Sequence, residues 1–312
     1  MKFFKINLFA VFLTILFTFL LIEVFLRYWV GVGANNITYY KSSFYGYYNS
    51  PDQNLVRRKN NISLDHLGNR NSRDNNFENA KIIFLGDSIT YGGSAVDDTQ
   101  IFTYLVGKKL NYKYLNISAN GWGIINIINF LEFNNFYKKN SIYVITCIDD
   151  CYTRNLRRLE QNFFSTKKDS IAVIFFFRYL YFYFFFEDRL SDRNNNNNFI
   201  DNIKTIEKSI KEISLLNLKL NSINSKLVVL HSPNIKYLSR LITKETNQDL
   251  QYADYILDLL SKENIKFYSI GERFGDKELS NYKRFYSDAV HLNQEGHKLY
   301  SKIITKIINE NK

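Results

Sequence analysis

Two short segments far apart in the chain carry residue types that can do chemistry together. The first is Gly86-Asp87-Ser88, which closes the apolar run Lys81–Leu85. A serine hydroxyl is a poor nucleophile near neutral pH and needs a base to accept its proton. The second segment, Ser287-Asp288-Ala289-Val290-His291, supplies that base roughly two hundred residues later. In a turn, a three-residue spacing lets the Asp288 carboxylate bond one imidazole nitrogen of His291 and leaves the other for Ser88. Taken alone, a GDS triplet fits a serine capping a helix equally well. His66, His231 and His297 lack an aspartate at that spacing and read as ordinary surface or cap-neighbouring residues.

These residues need a scaffold that ends a strand at Ser88 and returns His291 to the same edge. Short runs rich in Ile, Val and Phe occur at Lys81–Leu85, Lys113–Ile117, Ile142–Thr146, Lys226–Leu230 and Ile265–Ile270. Helical patterns follow them at Thr99–Leu110, Ile124–Tyr137, Ile200–Asn221, Gln248–Lys262 and Asn293–Ile308. Strands alternating with helices predict an α/β fold with a parallel sheet covered on both faces. Ligands of such sheets bind at the carboxyl ends of the strands, where Ser88 falls.

The segment Phe84-Leu85-Gly86-Asp87-Ser88-Ile89-Thr90-Tyr91-Gly92 resembles the first block of the SGNH/GDSL hydrolase superfamily. Asp288 to His291, followed by Leu292, Asn293, Gly296 and His297, resembles its last block. The resemblance runs from Lys81 to the C-terminus. Glu23, Arg27 and the Asp65-x-x-Gly68-x-Arg70 segment resemble a membrane-anchored branch. It implies a three-layer α/β/α flavodoxin-like sandwich, a Ser88–His291–Asp288 triad, and ester hydrolysis or O-acyl transfer with no cofactor and no metal.

The resemblance also implies an oxyanion hole from the backbone amides of Ser88 and Gly121, the latter in Asn116-Ile117-Ser118-Ala119-Asn120-Gly121-Trp122-Gly123. One such donor contributes about 3 kcal/mol. The third block departs from the pattern, because Asp149 stands where the family has an asparagine donor. An ionised carboxylate accepts hydrogen bonds and cannot donate them. Asp149 could serve only if protonated, by burial or by Asp150; otherwise Asn120 or Asn155 would fill the gap. The implied substrate is an acyl ester, with acetyl expected, on a glycan or a lipid. An O-acetyltransferase acting on a cell-surface glycan is one alternative, and a weak or inactive glycan- or lipid-binding member of the fold is the other.

The N-terminus adds a membrane expectation. From Ile6 to Ile22 the chain is apolar except for Asn7 and two threonines, and through Val30 it offers roughly 25 helical residues, enough to span a bilayer. Glu23 and Arg27 are placed to pair on one helix face, and Tyr28 and Trp29 lie at interface depth. The run is too long for a signal peptide and has no small-x-small site at its end, which favours an uncleaved anchor. Lys2 and Lys5 precede it, so the positive-inside rule puts the N-terminus in the cytoplasm and the rest of this single-pass protein outside. The expected organisation is an anchor (1–30), an irregular connecting segment packed on the domain (31–78), and the catalytic domain (79–312). The domain carries an apolar insertion near 171–186, read as a buried or membrane-surface helix in preference to a second span.

Composition narrows the remaining classes. With 46% hydrophobic and 23% charged residues the 312-residue chain has enough apolar content for a packed core, which excludes wholesale disorder. The net charge of +11 is scattered and no nucleic-acid motif accompanies it, so no nucleic-acid partner is expected. Cys147 and Cys151 are four residues apart, a demanding spacing for a disulfide, and the unpaired state is expected. The run Asn194–Asn198 reads as a solvated loop, and oligomeric state has no signal.

Overall fold

The computed structural model describes residues 7–30, 32–33, 36–70, 77–159, 164–168, 171–178, 180–181, 184, 199–244, 251–263 and 265–311; the run at 194–198 lies outside them. Helix α1 (Leu8–Phe25) is apolar all round and buries none of its residues, and a π-helical turn, Leu26–Val30, extends it. The combined length and composition suit a membrane crossing. Asn7 caps its start by accepting from the Phe9 amide at 3.1 Å, and Glu23 pairs with Arg27 near its end at 2.5 Å.

Residues 31–78, expected to be irregular, contain two antiparallel hairpins among the described residues. These are β1 (Tyr39–Ser42) with β2 (Gly46–Asn49), and β3 (Asn54–Arg57) with β4 (Asn60–Ser63). The second turns on Arg58 and Lys59, whose φ angles are 49° and 66°. Two consecutive left-handed residues make the hairpin turn that Asn-Gly usually signals. A basic pair there gives no such signal, which is why the strands were hidden.

The apolar runs form one parallel sheet of β5 (Ile82–Gly86), β6 (Tyr114–Ser118), β7 (Ile142–Cys147), β8 (Lys226–His231) and β9 (Phe267–Ser269), ordered β6-β5-β7-β8-β9. Counted within the sheet this is 2-1-3-4-5, the flavodoxin-like order, whose switch point lies beside the first strand. Every residue of β5, β6 and β7 is buried, as expected of strands covered on both faces. Successive residues then sort by face. Ile83, Leu85, Ile145 and Val229 pack with α4 (Ile124–Asn134), α7 (Phe199–Ser222) and α9 (Gln251–Lys262). Ile82, Phe84, Val144 and Leu230 pack with α3 (Phe102–Leu110), α8 (Ile235–Thr243) and α11 (Gln294–Glu310). The result is a three-layer α/β/α sandwich. Short helices α2 (Ser88–Tyr91), α5 (Asp150–Thr153) and α10 (Asp276–Ser280) fill the connections.

The apolar insertion contributes a helical segment, α6, at 172–178. Its Ala172 and Val173 are buried against Leu26 and Val32, while Ile174 and Phe177 are exposed. The Glu23 carboxylate accepts from the Ala172 and Val173 amides at 2.9 Å each, so the end of α1 caps the start of α6.

Candidate active site

Strand β5 delivers Ser88 to the carboxyl edge through a tight approach. A Cβ on Gly86 would come within 2.4 Å of the Thr146 carbonyl and 2.2 Å of the Thr90 hydroxyl, so only glycine fits there. Asp87, fully buried, caps α2 by accepting from the Ile89 amide at 3.0 Å. Burial raises its pKa; the Arg154 charge, 3.8 Å away, opposes that rise. Ser88 itself is half-buried and faces the cavity.

The loop carrying His291 is closed on itself before α11. Ser287 donates its amide to the His291 carbonyl at 2.8 Å, and the Ala289 carbonyl accepts from Ile235 at 3.0 Å. Asp288 Oδ1 accepts from the Val290 and His291 amides at 2.9 and 2.8 Å, and Oδ2 lies 2.8 Å from His291 Nδ1. Burial alone would raise the Asp288 pKa, but the two amides and the imidazole outweigh it and hold the carboxyl below its usual value. With Nδ1 protonated, His291 keeps Nε2 as the acceptor, 3.0 Å from Ser88 Oγ. Asn293 fixes the loop's far end by accepting from the Gly296 amide at 3.1 Å. The fold thus brings Ser88, His291 and Asp288 into one hydrogen-bonded line.

Gly121 joins them in a cavity of about 400 Å³ lined also by Asn120, Arg57 and Arg58. Its φ of +76° suits glycine. The turn it occupies is held by the hairpin β1–β2. Tyr47 donates its hydroxyl to the Asn120 carbonyl at 2.5 Å and accepts Trp122 Nε1 on its backbone carbonyl at 2.8 Å. Arg70 does the same for the loop after α2. It is fully buried, bonds Asp98 at 2.7 Å, and donates to the Tyr91 and Val96 carbonyls at 3.0 and 2.7 Å. Neither positioning role was visible in the sequence.

Asp149 requires a correction, because it does not line this cavity. Its Oδ1 lies 2.7 Å from His231 Nε2, while His231 Nδ1 lies 3.2 Å from Ser269 Oγ. Both bonds are satisfied when Nε2 carries the proton and the serine hydroxyl donates to Nδ1. The alternative donors are engaged too: the Asn120 amide donates to Tyr39 Oη at 2.9 Å, and that of Asn155 to Thr205 Oγ1 at 3.3 Å. His231 and His297 are buried, not surface residues as read from sequence, whereas His66 is exposed. A histidine ending the apolar run of β8 was the available signal, since it pairs in register with Cys147 at the sheet's carboxyl edge.

Cys147 and Cys151, expected to be unpaired, are brought together with their Cα atoms 5.8 Å apart, a separation that a disulfide can span. Asp87 and these two sulfurs are the one cluster of metal-ligating residue types among the described residues.

No family model matches the chain. No curated protein matches it. Among solved structures it is similar to an acetyl xylan esterase, AlAXEase, at 16% identity over 73% of this chain and 98% of that one, with a TM-score of 0.44. A catalytic mutant of an acetylxylan esterase from Geobacillus stearothermophilus aligns at 14% identity over 73% of this chain and 93% of that one, with a TM-score of 0.44. A GDSL-like lipase from Bacteroides thetaiotaomicron aligns at 14% identity, covering 75% and 90%, with a TM-score of 0.39.

Proposed function

We propose that this protein is a membrane-anchored serine esterase of the SGNH/GDSL type. The observation that carries the reading is the Ser88 Oγ to His291 Nε2 distance of 3.0 Å, continued by 2.8 Å to Asp288, inside a cavity that Gly121 also lines. Ser88 Oγ attacks the acyl carbonyl as His291 Nε2 takes its proton. The tetrahedral oxyanion is held by the Ser88 and Gly121 amides, and collapse breaks the ester C–O bond as His291 returns the proton to the leaving alkoxide. Water, activated by the same imidazole, then cleaves the acyl-enzyme. Asp288 keeps the ring oriented and stabilises the imidazolium.

With α1 spanning the membrane and its N-terminus in the cytoplasm, the domain works outside the cytoplasm, on an acetyl or other short acyl ester. Ser88→Ala removes the nucleophile, so turnover of p-nitrophenyl acetate should fall by at least about 10³-fold. Labelling by a fluorophosphonate should vanish. Labelling of the variant at the wild-type level would reject Ser88 as the nucleophile.

A further inference from the structure

A second cavity, of about 440 Å³, adjoins the one at Ser88 and shares Ile37, Arg57, Arg58 and Asn120 with it. Its remaining wall joins Val30 and Val32 from the end of α1, Phe164, and Phe175 and Phe176 from α6 to the polar Asn36, Tyr39 and Ser165. The foot of α1 and Ser88 therefore line adjoining cavities with a common wall. That foot lies at the bilayer surface if α1 spans, and the exposed rings of Tyr28 and Trp29 suit that depth. α6 is fixed there by the Glu23 cap, and its exposed Ile174 and Phe177, followed by exposed Tyr181 and Phe184, recur at helical spacing and turn an apolar stripe outward.

Among the described residues that line both cavities, the charged ones are both cationic. The tip of the β3–β4 hairpin presents Arg57, Arg58 and Lys59 in succession, with Lys59 Nζ 5.4 Å from the centre of the Trp29 ring. The two arginines line both cavities. Burial lowers the Arg57 pKa, yet arginine remains a cation at neutral pH.

We infer that the ester reaches Ser88 from the outer leaflet as part of a phospholipid of net negative headgroup charge, its hydrocarbon lying along Val30, Val32, Phe175 and Phe176 and its anionic headgroup against Arg57 and Arg58. This rests on the reading of Ser88 as the nucleophile and of α1 as the anchor, and it narrows the substrate to a membrane-borne amphiphile.

The test uses binding, so that loss of esterase activity cannot be confused with loss of the lipid site. The full chain is reconstituted in phosphatidylcholine vesicles containing a trace of phosphatidylglycerol with a diazirine on its acyl chain, and the photolabelled peptides are mapped. Label should concentrate in the peptides holding Val30 and Val32 and those holding Phe175 and Phe176. It should fall by about five-fold for each arginine removed in Arg58→Gln and in Arg57→Gln/Arg58→Gln, the effect of one cation at an anionic headgroup. Arg58 is exposed, so its variant should keep the fold, and comparison of phosphatidylglycerol with an equally tagged phosphatidylcholine needs no variant at all. Equal labelling by the two lipids, label confined to Leu8–Phe25, or displacement by a soluble acidic polysaccharide would each overturn the inference.

Discussion

Ser88, Asp288, His291 and Gly121 stand out in the sequence as candidates because such chemistry restricts its residues, and the fold brings the four to one cavity. An activated serine must end a strand, and its base must lie beside a carboxylate at a spacing that a turn can close. Asp149 was misread because residue type alone does not tell which way a side chain faces. It is turned from the cavity by His231, a partner 82 residues away. His297 was misread for a related reason, since burial depends on what packs over a position. It stacks on Phe102 at 5.8 Å between ring centres, accepts the Phe102 amide on Nδ1 at 3.3 Å, and burial pushes its pKa down to about 3. The unfolded chain therefore takes up a proton near pH 6.5 that the folded chain refuses until about pH 3. Its contribution to stability is complete above pH 6.5 and is lost as pH falls through that window, by at most about 1.4 kcal/mol per pH unit. Thermal melts of the wild type and His297→Gln between pH 7 and pH 4 should converge as acid is added. Curves that stay parallel would show that this imidazole is not what titrates.

The apolar strands could be read from sequence because a sheet covered on both faces needs unbroken hydrophobic runs. Their observed limits differ from the expected ones mostly by a residue, although β9 is shorter than its run. The hairpins at 39–63 were not readable. Their strands are four residues long and rich in Asn and Tyr, and their stability comes from what they grip. Asn49 illustrates this, donating to the Gly68 and Ser118 carbonyls at 3.0 Å each and so tying the segment to the end of β6. Arg70 is the strongest such tie. Arg70→Met would leave the Asp98 carboxylate without its cation and three loop carbonyls, those of Tyr91, Gly93 and Val96, without their donor, a loss of about 3–5 kcal/mol. For a domain of this size the melting temperature should fall by roughly 6–12 °C or more. Arg70→Lys should recover only part of it, because an ammonium cannot reach the four acceptors that the planar fork of a guanidinium does. Full recovery by lysine would mean that charge alone holds the loop.

At the scale of the whole molecule the question is whether α1 is mechanically joined to the domain or connected to it only through the intervening chain. Glu23 decides this. Its carboxylate bonds Arg27 on its own helix and the first two amides of α6 on the domain. Leu26 and Val32 add an apolar contact to Ala172 and Val173 beside it. A carboxylate capping free helix amides stabilises them by about 0.5–2 kcal/mol, and because Glu23 holds two of them the upper half of that range applies. Glu23→Ala removes the cap and leaves Arg27 without its acidic partner on α1. Amide exchange at Ala172 and Val173 in the reconstituted full chain should then accelerate by about 5- to 30-fold. Exchange within β5 and β7 should not change, because those strands are held by the sheet and not by the anchor. Glu23→Gln keeps an acceptor oxygen and should give an intermediate rate. Unchanged exchange at Ala172 in Glu23→Ala would mean that α6 is held by its apolar contacts alone and that Glu23 does not join α1 to the domain.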